Sequence, residues 1–333
     1  MSRAGAAAVQ GGGAREEREA GRPAETAPIP LSWVGPLLLR GPVASGEQWV
    51  PLATFETPLW PSVRRGAKIS TMTGGILTTL VDERMTRSVI LEAGDAGEAL
   101  AAWQRIDAAR EELQALVAQV SGHARLLGLN RQIVGNLLFL RLELAVGDAA
   151  GHNMVTLAAD RIIDHILTRL PGLRYGSVSG NYCTDKKASA VNGILGRGKN
   201  VVAELNVPRR LVERLLHTTP EAISTLNVRK NLIGSTLAGS IRTANAHYAN
   251  MLLAFFLATG QDAANIVEGS QGITHAESRE GDLYFSCTLP NLVVGTVGNG
   301  KDLPFVARNL ERLGCRTGST DGTDARRLAV LCA

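Results

Sequence analysis

The chain has 333 residues, 45% of them apolar, a formal net charge of +4 and a pI near 9.0, enough for one large or two ordinary domains with a substantial core. Its basic residues are scattered and aromatic side chains make up only 4%, so stacking platforms for a nucleic acid are scarce and an anionic small molecule fits the charge better. The four cysteines, Cys183, Cys287, Cys315 and Cys332, lie far apart with no C-x-x-C pair, which argues against a metal site or a disulfide scaffold and points to reduced thiols in the cytoplasm.

In chain order, residues 1–24, rich in Ala, Gly and charge, have no apolar core of a signal peptide and read as a disordered tail. SVILEA (88–93) predicts a short strand, and ALAAWQRIDAAREELQALVAQV (99–120) predicts a helix from the spacing of Trp103, Ile106, Leu113, Leu116, Val117 and Val120. Two β-rich runs follow, around 124–133 and 136–145. GHNMVTLAADRIIDHILTRL (151–170) is again helical by period, and LRYGSVS (173–179) predicts a closing strand. The order β-α-β-β-α-β predicts a ferredoxin-like module over 88–177, inserted into a discontinuous larger domain, 25–87 and 178–333. The predicted class is therefore α+β, with the larger domain mostly helical. Its helices are predicted at 208–217, at 240–260 and at 306–314, with strand, turn and glycine loop over 281–300. The apolar stretch MLLAFFLATG (251–260) is too short to span a bilayer, so it reads as a central core helix rather than a membrane contact.

The segment SVSGNYCTDKKASAVNGILGRGKN (177–200) places hydroxyls, an aspartate and two adjacent lysines beside a Gly-Arg-Gly-Lys turn, a composition suited to receiving an anion. GDAAGHNM (147–154) stands where a strand meets a helix. Its small residues could let a phosphate reach the helix N–H groups, or it could be a plain turn capped by Asp148 or Asn153. Neither it nor GTVGNG (295–300) has G-x-G-x-x-G spacing. Glu56, flanked by Phe55, Leu59 and Trp60, has apolar neighbours that could raise its pKa and keep a proton available, or it is a surface carboxylate. Asp262 could simply cap the next helix, and His247 reads as a satisfied core histidine.

Taken together, PLATFETPL, MTRS, GDAAGHNM, SGNYCTDKKASAVNGILGRGKNVV, KNLIGSTLAGSI, NAHYANMLLAFFLATGQDAAN and GDLYFSCTLPNLVVGTVGNG resemble the catalytic region of 3-hydroxy-3-methylglutaryl-CoA (HMG-CoA) reductases, from about residue 27 onward. The likeness is greater to the class that includes the eukaryotic enzymes. It implies a homodimer or dimer-based oligomer with a shared active site, and NADPH or NADH as cofactor on the small domain. The implied reaction is the four-electron reduction of HMG-CoA to mevalonate and CoA. On matching positions Lys186 would polarise the thioester oxygen, Glu56 would supply a proton and Asp262 would tune both. Arg87, Ser179, Lys187 and Lys230 would hold the substrate carboxylate, with Asn250 nearby, and Asp148, Ala150, Gly151, Asn153 and Met154 would meet the cofactor.

The sequence departs from the family pattern in four places. No residue matches the histidine that protonates the departing CoA thiolate, since the chain ends at RRLAVLCA, and a Glu-Asn-Val-Ile-Gly dimer motif is absent. Asn136 stands where NADPH-using members place an arginine on the 2′-phosphate, and the cofactor motif has Ala149, Ala150 and His152 where methionines and other residues are usual. These departures imply impaired CoA release and NADH bound at least as well as NADPH. The alternative is a non-catalytic homologue that binds the thioester or the cofactor, against which the retention of Glu56, Lys186 and Asp262 together counts.

Overall fold

The computed structural model describes residues 26–298 and 300–333, so the predicted tail over 1–24 lies outside the described residues. The architecture is mixed α/β, with an extensive helical region around a central sheet. Six strands run in the order β2 (Gly46–Ala53), β1 (Leu31–Arg40), β3 (Ile76–Glu92), β7 (Gly198–Val207), β9 (Asp282–Leu292) and β8 (Ile273–Arg279). The larger part thus carries a six-stranded sheet alongside its helices, a sheet that the mostly helical expectation did not include. Strands β7, β8 and β9 pair only with segments distant in sequence or across a short turn, and short apolar runs do not declare strand or helix by period alone.

β3 is the hinge of the design. Its first half pairs antiparallel with β7 through Leu77–Arg84, and its second half pairs antiparallel with β5 (Leu137–Ala145) through Met85–Glu92. β5 also pairs with β4 (Arg125–Val134), and β3 with β6 (Arg174–Ser177). The second sheet therefore has the order β6-β3-β5-β4, all antiparallel, and the change of partner falls between Arg84 and Met85.

Three helices cover this second sheet: α2 (Ala96–Ala108), α3 (Arg110–Val120) and α4 (His152–Arg169). The single helix expected over 99–120 is two. α2 opens on Asp95, which accepts the Glu98 N–H at 2.8 Å while the Glu98 carboxylate accepts the Gly94 N–H, a reciprocal cap. The break at Ala109 re-aims the chain so that Trp103 and Ile106 on one helix, and Leu113 and Val117 on the other, all enter the core formed by Val89, Leu91, Leu138 and Ile162.

In the larger part, α1 (Leu59–Met72) lies on β1, and α5 (Tyr248–Ala258) is central. α5 buries Leu252, Phe255 and Phe256 with Val34, Leu52 and Leu292, and with the inner faces of α6 (Pro304–Arg312) and α7 (Thr323–Cys332). Burying each such side chain contributes about 1.5–3 kcal/mol. The helix expected from residue 240 begins only at Tyr248. The chain before it spends its hydrogen bonds elsewhere: Ala244 N–H donates to Gly272 O, Thr274 N–H to Ala244 O, and the Asn245 amide to Ser270 O and Gly272 O. His247, in left-handed backbone (φ +66°), is exposed rather than core.

Candidate active site

The CTDKK loop enters this scaffold between β6 and β7 in unusual backbone geometry. Asn181, Thr184 and Lys186 all have positive φ, +56°, +40° and +55°. The loop is pinned by a 2.5 Å hydroxyl contact between Thr184 and Ser189 and by the Asn192 amide, which donates to Thr184 O. This conformation carries Lys186 Nζ to 2.6 Å from Asp262 Oδ2. Asp262 follows α5, and its Oδ1 accepts the Ala264 N–H at 3.0 Å, so it caps the next turn and pairs with the lysine at once. The hydrogen bond to Asp262 pushes the Lys186 ammonium above its ordinary range. Burial works against ionisation of Asp262, but Lys186 and the Ala264 amide outweigh it and hold the carboxyl below its ordinary range.

Glu56 and Asn250 form a second contact, with Asn250 Nδ2 donating to Glu56 Oε2 at 2.8 Å. The turn at Glu56 is set locally, by Glu56 N–H to Thr54 Oγ1 and Leu59 N–H to Glu56 O. The expected apolar setting is corrected here: Glu56 is exposed and Phe55 is 75% exposed, while Trp60 turns its indole N–H to Leu52 O. Among the described residues no hydrogen bond or ion pair joins this Glu56–Asn250 contact to the Lys186–Asp262 pair.

The predicted carboxylate grip is dispersed over three segments. Arg87 on β3 uses Nε on Val178 O at 3.0 Å, which orients its remaining guanidinium N–H groups. Ser179 sits next to that carbonyl, its own backbone held by Ser177 Oγ. Lys187 bends back to Asp185 O at 3.2 Å. Lys230 is exposed on the helical segment 220–237, amid exposed Leu226, Val228, Leu232, Ile233 and Leu237.

The two glycine-containing segments meet. Ala149 bridges Val297, and Thr296 N–H donates to Asp148 O at 2.8 Å. A Cβ on Gly295 would lie 2.7 Å from the Ala149 carbonyl carbon, so only glycine admits this approach. Neither Asp148 nor Asn153 caps α4, which starts after Gly151 with no side-chain cap. Instead both Asp148 carboxylate oxygens accept N–H groups at the start of α7, from Gly322 at 3.1 Å and Ala325 at 2.8 Å. The first turn of α4, carrying His152, Asn153 and Met154, therefore keeps backbone donors suited to an anionic group. Asn136, at the tip between β4 and β5, turns its amide to Ala93 O at 3.0 Å.

Beneath the loop lies a buried charged network. Arg197 reaches Asp185 Oδ1 at 2.6 Å, His152 Nε2 stands 3.4 Å from the same oxygen, and Glu268 accepts from Asn265 at 2.9 Å. Burial opposes ionisation of Asp185, but His152 and Arg197 hold its carboxyl well below the ordinary range. Burial raises Glu268, which has 0% exposure. Arg197 and Lys199, expected in a flexible anion-receiving turn, are both buried, Lys199 near Glu83. Among the described residues no group of three or more His, Cys, Asp or Glu side chains is placed to hold a metal ion.

The family model for hydroxymethylglutaryl-coenzyme A reductase matches residues 23–333. The chain belongs to this reductase family. It is 47% identical to the 3-hydroxy-3-methylglutaryl-coenzyme A reductase of Pyrococcus horikoshii over 311 residues, covering 92% of this chain and 74% of that one. The reductase of the same name from Strongylocentrotus purpuratus is 38% identical over 92% of this chain and 33% of its own. A solved reductase from Streptococcus pneumoniae superposes with a TM-score of 0.69 at 20% identity, over 95% of this chain and 85% of that one, a likeness of fold.

Several features of this candidate site escaped sequence reasoning. Glu268 approaches the CTDKK loop from a distant segment, and Arg197, expected in an anion-receiving turn of the same segment, folds inward instead, since buried charges carry no period. The Gly-Arg-Gly flanks of Arg197 were a local signal, because paired glycines let a side chain enter a tightly packed interior. Lys301, 6% exposed and hydrogen-bonded to Gly260 O just before Asp262, is another; burial lowers its pKa to about 8, against a smaller opposing pull from Asp262.

Proposed function

We propose specific roles for these residues in the reaction that family membership assigns to the chain, the NAD(P)H-dependent reduction of HMG-CoA to mevalonate and CoA. The observation that carries the assignment is the Lys186–Asp262 pair, 2.6 Å apart in a loop whose backbone is held in left-handed conformations to present it. Lys186 is the cation beside the thioester oxygen. Kept protonated by Asp262, it donates to that oxygen as negative charge develops and so lowers the barrier. Glu56, oriented by Asn250, supplies the proton that quenches the alkoxide. Arg87, Ser179, Lys187 and Lys230 grip the substrate carboxylate. Arg87 suits this because its free N–H groups form a planar fork, whereas the lysines act as point charges.

The unit from β3 to β6 acts as a ferredoxin-like cofactor domain, and the remainder as the substrate domain. The strand order β6-β3-β5-β4 and a separate core support this reading. Residues at the opening of α4 fit the nicotinamide cofactor: Ala150, Gly151, Asn153 and Met154 frame an uncapped helix start, and Asp148 braces the loop from behind. Two cofactor molecules, bound in turn, would each supply one hydride. Dimer formation is supported by the exposed apolar side chains around Lys230, Leu237 being 84% exposed, and by the separation of the Glu56–Asn250 contact from Lys186. The higher identity to the Strongylocentrotus purpuratus reductase than to the class II Streptococcus pneumoniae structure, 38% against 20%, supports the class containing the eukaryotic enzymes. Four free thiols support a cytoplasmic setting, and no helix among the described residues is long and apolar enough to cross a membrane.

The test is HMG-CoA-dependent oxidation of NADH and NADPH, with mevalonate quantified. Two cofactor equivalents per mevalonate support the reading, and cofactor binding without oxidation would favour the binding-only homologue.

A further inference from the structure

Arg197 contacts no proposed substrate or cofactor group, yet every nitrogen of its guanidinium is committed. Nη1 donates to Thr86 O at 2.8 Å and to Thr86 Oγ1 at 3.0 Å, Nη2 donates to Asp185 Oδ1 at 2.6 Å, and Nε faces Glu268 Oε1 at 3.4 Å. Its side chain is 1% exposed. The flanking glycines make this burial possible: Gly196 and Gly198 have φ +87° and +77°, and a Cβ on Gly198 would lie 2.5 Å from Leu292 O. The three partners are neighbours of functional residues. Thr86 precedes Arg87, Asp185 precedes Lys186, and Glu268 belongs to the short helix Ile266–Gly269 that follows the turn opened by Asp262.

We propose that Arg197 is a positioning residue for the reaction, a buried planar fork that fixes the Lys186 loop against the strand carrying Arg87 and the turn carrying Asp262. The inference rests on the reading of Lys186 as the oxyanion donor. Left-handed backbone at non-glycine residues persists only where the surroundings over-determine it, and this loop has it at Asn181, Thr184 and Lys186. Among the described residues whose contacts hold the loop, Arg197 alone joins all three functional segments through one rigid group. A lysine at this position retains the charge but cannot reproduce three directions of donation from one plane. Asp185 is the arm through which Arg197 acts on Lys186, because it is the residue adjacent to the lysine in the chain and the recipient of the 2.6 Å contact.

The test compares the full chain with Arg197→Lys by amide hydrogen exchange over 181–187, by turnover of HMG-CoA, and by nicotinamide-fluorescence titration of the cofactor. Exchange over 181–187 is expected to rise about tenfold while peptides from α4 and β7 stay protected. Turnover is expected to fall about 10²-fold, the cost of a displacement near 1 Å, with cofactor affinity held within about twofold. Unchanged exchange in the loop, or exchange rising equally throughout the chain, overturns the proposal. Should Arg197→Lys fail to fold, Asp185→Asn keeps the side-chain shape and removes the charged partner. The same local rise in exchange then supports the proposal, and a loop as protected as in the parent overturns it. If the parent chain fails to turn over HMG-CoA, the functional reading falls, while the exchange comparison still decides the role of Arg197.

Discussion

Lys186 Nζ and Asp262 Oδ2 stand 2.6 Å apart although 76 positions separate them in the chain (262 − 186), and Asp262 is at the same time bound through Oδ1 to the Ala264 N–H. The aspartate therefore cannot swing freely with the lysine: its second oxygen anchors the pair to the protein backbone. With about two-fifths of each side chain exposed, the pair adds little to stability. Its value lies in aiming an ammonium at a fixed point.

Lys186→Ala should lower turnover of HMG-CoA about 10²–10³-fold, the loss measured for a single oxyanion donor, with cofactor affinity retained. Asp262→Asn should produce an intermediate loss, because Lys186 keeps its charge and loses its anchor. Steady-state kinetics with fluorescence titration of the cofactor check both, and parental turnover in Lys186→Ala would remove the lysine from the mechanism.

NADH should bind at least as tightly as NADPH. Asn136, whose amide is spent on Ala93 O, offers no cation to a 2′-phosphate, and a charge-assisted contact is about twice as strong as a neutral one. Asn136→Arg should shift the preference toward NADPH. Parallel titrations with the two cofactors settle the matter, a clear NADPH preference in the parent counting against it.

Gly295→Ala should destabilise the junction of the two glycine loops. The added Cβ would meet Ala149 carbon at 2.7 Å and Asp148 O at 3.0 Å, backbone atoms that cannot rotate away. Overpacking of this kind costs about 1–3 kcal/mol. Denaturant unfolding would record the loss and cofactor titration would show weaker binding; unaltered values in both would mean the loops separate more easily than their contacts indicate.

The pH dependence of stability should carry the signature of Lys301. Burial depresses its folded pKa from 10.5 to about 8. Between these values the unfolded chain holds the proton more than the folded chain does, so this residue's contribution to stability rises as pH rises from about 8 to about 10.5 and is flat below 8. Lys301→Met should abolish that rise. The stability difference, parent minus variant, should therefore grow across this window by on the order of 1 kcal/mol or more, and a constant difference by thermal unfolding at several pH values would refute it.

Local pattern by itself located β4, β5, β6 and α4, though not the break at Ala109 or the full length of β3. Alternation and helical period are short-range signals, and β4, β5, α4 and β6 fall within one or two residues of their expected places. The residue types proposed for the chemistry were also legible, in CTDKK, in Glu56 of ATFETPL and in GQDAAN. Tertiary structure alone decided what those residues touch. It merged the two glycine segments through Gly295, sent the Asp148 carboxylate to the start of α7 across 177 positions, and turned Arg197 inward to three partners. It also delayed the start of the expected long helix to Tyr248, because the backbone before it found better partners at and just before the strand beginning at Ile273. The physical reason is the same in each case: a hydrogen bond or close contact between distant segments depends on where the fold brings them, and no spacing within either segment encodes the distance between them.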